Sequence, residues 1–376
     1  YCLSYNVDDL ISFMFYCQLI LLAGYALFFT DSIILFFLFY EFLLVPSFFI
    51  LYKFAKTRRC VEAAYLMFFW TQFGALFLIF GLLYLFFVCG SSQFSVINYY
   101  YFTPFEVNFL FVCVLMGFGV KLPIWPFYGW LPKAHVEAST NFSIFLSGVL
   151  VKFAFFGLLK CLLTIHLEPT FIYVYPFLVL GIVDAVFKLF YQIDLKKLVA
   201  YSTISQIGYL VCGCGFCCYE EVLIYLIVHA LNKAFLFVLV GYTVHFFSGN
   251  TDMRQMGGAY MYSMDIAALL FGVCFNLAGL PYSAGFLGKE FLLFQVLRDD
   301  FISLFVRGCW LVSFFFTPIY MFVLVFLAMF GPKKGSIVAY ISSWDFNFVK
   351  HTQSLSYFLS KAQNISLSHS LKYRFH

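Results

Sequence analysis

The sequence predicts an all-α polytopic membrane protein with about ten transmembrane helices, arranged as two inverted five-helix repeats that each contain a broken helix. Of its 376 residues, 64% are apolar and only 11% are charged, whereas soluble domains carry about 25% charged residues. The apolar residues form runs close to the roughly 20 residues that cross a bilayer. Two runs are interrupted by proline, at Pro123 and Pro281, in corresponding places of the two halves.

The first half of the chain contains five predicted spans. They cover residues 10–29, 32–52, 63–88, the broken segment 107–127, and 142–165. Pro123 interrupts a regular helix, because it has no amide hydrogen and its ring clashes with the carbonyl of Gly119. Backbone groups freed inside a bilayer are tolerated only within protein or beside a water-filled cavity. The break therefore indicates a functional position.

The second half repeats this order. Its predicted spans cover residues 171–190, 198–216, 222–247, the broken segment 262–297, and 302–330. Paired broken helices are the sequence sign of inverted-repeat transporters, and five spans in each half give the halves opposite orientations. We predict one transmembrane domain over residues 1–330, with repeats at about 10–165 and 171–330, followed by a polar C-terminal tail over residues 331–376.

Basic loop residues concentrate on one side of the predicted bundle, which we call the basic side. It receives Lys53, Lys56, Arg58, Arg59, Lys133, Lys196, Lys197, Arg254, Lys333 and Lys334. The opposite side receives Arg298, with Lys160 and Arg307 near helix ends. Because basic residues mark the side that is not translocated, both termini are predicted on the matrix or cytoplasmic side. The net charge of +4 thus reflects membrane topology rather than nucleic-acid binding.

Charged residues inside the apolar runs are the candidate functional groups, because a lysine at the bilayer centre costs about 2.5–3.5 kcal/mol. Lys121 precedes the first break, and Glu41 lies near the middle of the second span. We expect these two residues to pair. A lysine that snorkels to the interface and a neutral Glu41 bonded to a backbone carbonyl are the alternatives.

Further candidates continue this series. Lys152 lies ten residues into the span that begins at residue 142, and His229 and Lys233 are one helical turn apart. Lys289 and Glu290 follow the second break and point about 100° apart on a helix. We expect Lys289 to face Lys233 and Glu290 to tune it or to provide an outlet. Coupled groups of this kind can relay protons.

Other polar residues are weaker candidates. His135 and Glu137, in the segment WLPKAHVEA, are predicted to lie in a loop that crosses the mouth of this pathway. Charged residues at helix ends are interpreted as interfacial anchors, and they are Lys188, Asp194, Lys196 and Lys197. The sequence contains no pattern typical of a metal site, a nucleophile triad or a phosphate-binding loop.

At these residues the chain resembles a known family. The segments GVKLPIWPFYGWLPKAHVEAST, DLKKLVAYSTISQIGY, TDMRQMGG and LPYSAGFLGKEF are similar to the antiporter-like membrane subunits of proton-pumping NADH:quinone oxidoreductase, respiratory complex I. WLPKAHVEA and the lysine in SGVLVK are most similar to NADH dehydrogenase subunit 4. HALNKAFLF, with Lys233, is more similar to subunit 5, and GFLGKEF, with Lys289, to subunits 2 and 5 and to cation/proton antiporters.

The resemblance covers roughly residues 32 to 334 and carries specific implications. It implies a fourteen-helix fold, of which this chain lacks about the first three helices and the last. Glu41 and Lys121 match the central ion pair of the family, Lys152 matches the connecting lysine, and Glu290 matches the helix-twelve acid of subunit 4.

The resemblance also implies a function. It implies a non-redox subunit of the proton-translocating NADH:ubiquinone reductase in the mitochondrial inner membrane, with both termini in the matrix. Other membrane-arm subunits and the lipid bilayer are the implied partners, and protons are the transported species. No cofactor is expected on this chain, since NADH, FMN, iron–sulfur clusters and quinone are expected on other subunits. A subunit of a cation/proton antiporter and a structural scaffold of the membrane arm remain the alternatives.

Overall fold

The computed structural model describes residues 7–54, 57–247, 249–261, 263–295 and 301–332. Within these residues the regular elements are helices, and the only β-type pairings are two isolated bridges. Most of the predicted tail lies outside the described residues. So do Lys56, Arg298, Lys333 and Lys334 of the predicted charge pattern.

The first half folds into nine helices within the described residues. They are α1 (Val7–Phe29), α2 (Ile33–Phe42), α3 (Leu44–Lys53), α4 (Arg58–Cys89), α5 (Phe94–Ile97), α6 (Pro104–Lys121), α7 (Trp130–Glu137), α8 (Thr140–Phe145) and α9 (Val151–Ile165). Helices α2 and α3 together form one span, as do α8 and α9. A π-helical turn, Leu146–Leu150, joins α8 to α9.

The second half, over the described part of the chain, contains six helices. They are α10 (Tyr175–Phe190), α11 (Leu195–Gly215), α12 (Tyr219–Phe246), α13 (Met264–Ala278), α14 (Ala284–Gln295) and α15 (Phe301–Val325). A second π-helical turn, Phe326–Phe330, continues α15. Helices α13 and α14 are the two parts of the second broken helix, and Gly279 ends α13 in the left-handed conformation that favours glycine.

The predicted polytopic fold is confirmed. Among the described residues, eight helices are long and apolar enough to cross a membrane, and Met264–Ala278 is a shorter apolar helix. The span predicted at 171–190 is shorter as a regular helix, since α10 has 16 residues, or about 24 Å. Its preceding residues, Glu168–Tyr173, form a 3₁₀ segment instead, and Pro176 lies in the first turn of α10, where proline is tolerated.

One prediction about the first break is wrong. The segment WLPKAHVEA was expected to be a loop, but Trp130–Glu137 is helix α7. Pro132 lies in its first turn, where a missing amide hydrogen costs no intrahelical hydrogen bond. The first broken helix therefore consists of α6 and α7, which are separated by residues 122–129.

The same backbone connection occurs once in each half. Ser32, just before α2, forms a bridge with Gln93, and Asp194, just before α11, forms a bridge with Asp252. In both places the first backbone amide of the helix donates a hydrogen bond to the carbonyl of the residue just before the bridge partner. The nitrogen–oxygen distance is 2.8 Å for the Ile33 amide and 2.9 Å for the Leu195 amide. The two halves therefore share this local backbone connection, and the division into two repeats of five spans stays a prediction.

Contacts between distant segments define the two ends of the bundle. Cys60 at the start of α4 donates from Sγ to the Glu137 carbonyl at 3.3 Å. Lys196 at the start of α11 donates to the Ala138 carbonyl at 2.8 Å. The starts of α4 and α11 and the end of α7 therefore lie together, at the end that carries the basic residues. Lys160 donates to the Thr30 carbonyl at the other end.

Helices α4 and α6 approach each other closely at glycines. A Cβ atom built on Gly117 of α6 would lie 2.7 Å from Cβ of Leu78 in α4, and one built on Gly74 would lie 2.9 Å from the Gly117 carbonyl oxygen. Carbon atoms in van der Waals contact are normally about 3.5–4.0 Å apart. Small residues at such positions let membrane helices pack backbone to backbone. The close contact fixes α6 one turn before Lys121.

Candidate functional site

The first break is held by hydrogen bonds within the bundle. The Gly119 carbonyl, which would lose its helical partner at Pro123, accepts from the Ile124 amide at 2.9 Å. The Val120 carbonyl accepts from the indole Nε1 of Trp130 at 2.8 Å. The backbone groups freed by the break are thus paired inside the protein, as a membrane interior requires.

Lys121 is buried at this break rather than extended to the interface. Only 7% of its surface is exposed, and its Nζ donates to the Tyr40 carbonyl at 2.8 Å. Nζ also lies 3.6 Å from the centre of the Tyr40 ring, within the range of a cation–π interaction. The Tyr40 hydroxyl donates to the Gly117 carbonyl at 3.1 Å. The snorkelling alternative therefore does not describe Lys121.

Glu41 and Lys121 are near each other without forming a direct ion pair. Glu41 is close enough to interact electrostatically with Lys121, but the ion pairs of the described residues do not include this one. One carboxylate oxygen, Oε2, accepts from Nε2 of Gln72 at 2.9 Å. The other, Oε1, is buried and has no hydrogen-bond partner among the described residues. The structure therefore places the two residues within electrostatic range of each other without a direct bond between them.

Lys152 follows the π-helical turn of α8 and α9. Its Nζ donates to the Ser147 carbonyl, five residues earlier. π turns insert one residue into a helix and often occur at functional sites. A small cavity of about 20 Å³ extends from Lys121 to Leu146 and Leu150 of this turn. A cavity needs about 10–15 Å³ to hold one water molecule, so the space between Lys121 and the π turn accommodates one.

Lys233 and His229 lie buried on the same face of α12. The Nζ of Lys233 donates to the Ser202 hydroxyl of α11 at 2.5 Å. Both ring nitrogens of His229 lack a hydrogen-bond partner within the described part of the chain. His229 is close enough to interact electrostatically with three lysines, which are Lys152, Lys233 and Lys289. It therefore lies among the cations of both repeats.

Lys289 binds the end of the first part of the second broken helix. Its Nζ donates to the carbonyls of Leu277 and Ala278 at 2.8 and 2.9 Å, and to the Thr317 hydroxyl at 3.1 Å. A cation at a helix C-terminus is favoured by the helix dipole. Lys289 interacts electrostatically with Lys233, whereas Glu290, half-buried, is on a different face of α14. This placement matches the predicted orientation of Lys289, and the roles of both residues stay predictions.

Several polar residues of this region were not selected from the sequence. Gln72 binds Glu41, and Ser202 binds Lys233. Asn276 of α13 donates to the Asn232 side chain at 3.0 Å and accepts from the Gly285 amide at 2.7 Å, which joins the two parts of the broken helix. Each is an uncharged polar residue inside an apolar run, and that is the sequence signal that could have identified them.

The comparisons with known proteins agree with this arrangement. The family model described as "NADH:quinone oxidoreductase/Mrp antiporter, TM" matches residues 30–317, most of the chain. The chain belongs to this family. The match includes both broken helices and the buried lysines of both repeats.

Curated relatives within the family are complex I subunits. NADH-ubiquinone oxidoreductase chain 4 of Paramecium tetraurelia is 33% identical over 278 residues, which are 72% of this chain and 58% of the relative. NADH-ubiquinone oxidoreductase chain 5 of Nyctotherus ovalis is 40% identical over 257 residues, which are 65% of this chain and 14% of the relative. The chain thus spans less than two thirds of the length of either relative. The predicted resemblance to antiporter-like complex I subunits, most like chain 4, is confirmed.

A solved structure has the same fold. The structure of the Mrp complex from Dietzia sp. DQ12-45-1b contains a chain that superposes with a TM-score of 0.76 at 20% sequence identity. The match covers 84% of this chain and 60% of that chain. At this identity the similarity concerns the fold alone.

Proposed function

We propose that this chain is a proton-translocating, non-redox subunit of the membrane arm of NADH:quinone oxidoreductase, and that it relays protons through buried lysine and glutamate side chains. The observation that supports the proposal is the set of buried cationic groups drawn from both repeats. They are Lys121, Lys152, His229, Lys233 and Lys289. Together with Glu41 we call these residues the file. Charged or chargeable groups inside a membrane domain are costly and usually functional.

The electrostatics of this set suggest how protons move. Lys233 is within electrostatic range of Lys152 and of Lys289. A proton on one of these lysines therefore disfavours a proton on the next, so that a proton entering at one end favours release at the other. Closure of the Glu41–Lys121 pair stabilises the charge on Lys121, and its opening promotes transfer. Movement of Glu41 away from Gln72 is the step that couples this pair to the rest of the file.

Membership of the family supports a proposed location and proposed partners. We place the chain in the mitochondrial inner membrane with both termini in the matrix, and we assign NADH, FMN, iron–sulfur clusters and quinone to other subunits. The convergence of the basic helix ends at one side of the bundle supports this orientation. Other membrane-arm subunits and lipid are the proposed partners.

A matched pair of lysine variants tests the relay. Lys152→Met replaces the buried cation with a neutral side chain of similar length. We expect proton pumping in sealed vesicles to fall strongly while the complex still assembles. Lys133→Met is the control, because Lys133 lies exposed on α7 and is not among the buried groups. Assembly is followed on a blue-native gel stained for NADH oxidation. Wild-type pumping by both Lys152→Met and Lys121→Met would favour the scaffold function.

Similarity to an Mrp complex also favours a second candidate, a subunit of a cation/proton antiporter. Sodium is a hard cation that prefers several oxygen ligands, as Ca²⁺ and Mg²⁺ do. The described file consists mainly of lysine and histidine nitrogen, with Glu41 as its carboxylate. Proton movement that is unchanged when sodium is replaced by choline supports the complex I function. Proton movement that requires sodium supports the antiporter.

A further inference from the structure

A polar cluster lies at the basic end of the bundle, outside the file described above. It joins the start of α4, the end of α7 and the start of α11. Glu137, the last residue of α7, is half-buried. Its Oε2 accepts hydrogen bonds from Oγ1 of Thr57 at 3.4 Å and from Sγ of Cys60 at 3.5 Å. Because part of Glu137 remains exposed, its carboxylate can exchange protons with water on that side.

Lys196 binds the backbone of the residue that follows Glu137. It is 6% exposed, its Nζ donates to the Ala138 carbonyl at 2.8 Å, and it is close enough to interact electrostatically with Glu137 and Cys60. Among the described titratable groups, Cys60 of α4 binds Glu137, and Lys196 of α11 interacts with it electrostatically. Lys133 lies one turn before Glu137 on α7 itself and is exposed. A proton accepted at Glu137 therefore lies within electrostatic range of a buried amine.

His135 connects this cluster to the file. Its ring is fully buried, stacks on Phe237 at a centroid distance of 4.7 Å, and has no hydrogen-bond partner for either nitrogen among the described residues. Buried polar atoms are normally hydrogen-bonded. His135 is within electrostatic range of Lys196, Lys152 and Lys233. Titratable groups thus succeed one another from the exposed carboxylate to the buried lysines.

We propose that Glu137 is the entrance for protons at the basic end, and that Lys196 passes them through His135 to Lys152 and Lys233. This inference rests on the proposed function, since it assigns an entrance to the same file. The competing explanation is a structural one, in which Glu137 only fastens α7 to α4 through Thr57 and Cys60.

The variant Glu137→Gln separates the two explanations. Its amide oxygen still accepts from Thr57 and Cys60, but the side chain cannot take up a proton. Proton transfer by a positioned side chain contributes about 10²–10⁴-fold to a rate. Because water reaches Glu137 and replaces part of this contribution, we expect about tenfold slower pumping in an assembled complex. Sodium azide, a small diffusible weak acid, should restore pumping in Glu137→Gln.

Glu62→Gln is the matched control. Glu62 lies at the start of α4, and its side chain is 65% exposed and pairs with Arg58 at 3.2 Å. Pumping by the Glu62→Gln variant should therefore equal that of wild type. If Glu137→Gln does not assemble, Lys196→Gln replaces it, because the glutamine amide can still donate to Ala138. Slower pumping by Lys196→Gln in an assembled complex supports the proposal, and wild-type pumping overturns it.

The outcomes also distinguish this inference from the proposed function. Wild-type pumping by Glu137→Gln, or slow pumping that azide does not restore, overturns the entrance. If Lys152→Met is defective in the same vesicles while Glu137→Gln is normal, only the entrance is wrong. If both variants pump at the wild-type rate, the proposed function fails together with the entrance.

Discussion

The close approach of α4 and α6 at Gly117 predicts a measurable loss of stability from one added methyl group. In Gly117→Ala the new Cβ would lie 2.7 Å from Cβ and 3.1 Å from Cα of Leu78. These are the inner atoms of a residue in the middle of α4, and they cannot swing aside as the tip of a side chain can. To restore a contact of about 3.5–4.0 Å, the two helices must separate by about 1 Å.

The size of the effect follows from two opposing terms. Overpacking of a tight interior costs about 1–3 kcal/mol, whereas alanine stabilises a helix relative to glycine by about 1 kcal/mol. Gly272→Ala isolates the second term, because a Cβ built on Gly272 in α13 meets no atom within 4 Å among the described residues, apart from its chain neighbours and the backbone of its own helix. We therefore expect Gly117→Ala to be about 1–3 kcal/mol less stable than Gly272→Ala.

Stepwise heating of detergent extracts, followed by blue-native gels, gives the midpoint at which each variant leaves the assembled complex. Gly117→Ala should have the lower midpoint. Pumping should fall less than in Lys121→Met, since the long side chain of Lys121, one turn after Gly117, can follow a displacement of about 1 Å and keep its bond to Tyr40. Equal midpoints for the two alanine variants would contradict the close packing of α4 and α6.

Three further predictions concern other parts of the fold. Lys289→Met should lower pumping in sealed vesicles more than Glu290→Gln does, because Lys289, unlike Glu290, binds the end of α13. The opposite order would make Glu290 the relay group. A membrane-impermeant maleimide should label Arg58→Cys and Tyr101→Cys from opposite faces of the membrane, and labelling of both from one face would disprove the topology. Asn276→Leu leaves the Gly285 amide without its acceptor and should lower thermal stability by about 1–3 kcal/mol, whereas unchanged stability would mean that another group replaces it.

Much of the fold could be predicted from the sequence because its signals are local. Apolar runs define the spans, and Pro123 and Pro281 remove backbone donors wherever the chain folds, so both breaks are predictable. The sequence predicts a loop where the structure has helix α7, because Pro132 and the polar residues around it are typical of loops unless the proline lies in the first turn of a helix.

The partners of the buried charges could be predicted only in part. Glu41 and Lys121 were expected to bind each other, but they bind Gln72 and the Tyr40 carbonyl instead. Such choices depend on which acceptors the packed backbone leaves free, and no short sequence pattern records this. The different directions of Lys289 and Glu290 were predictable because neighbouring positions on a helix necessarily diverge, and which of the two relays protons stays a prediction.

The π turn Leu146–Leu150 makes the placement of Lys152 depend on the length of the chain as well as on its chemistry. Removing one residue from the turn would restore an ordinary helix and rotate everything after it by about 100° relative to everything before it. Lys152 would still be a lysine, but its side chain would no longer face the same neighbouring residues. In an alignment of related chains, a relative that lacks one residue at this turn would keep the lysine in its sequence. That lysine would then point in a different direction from Lys152.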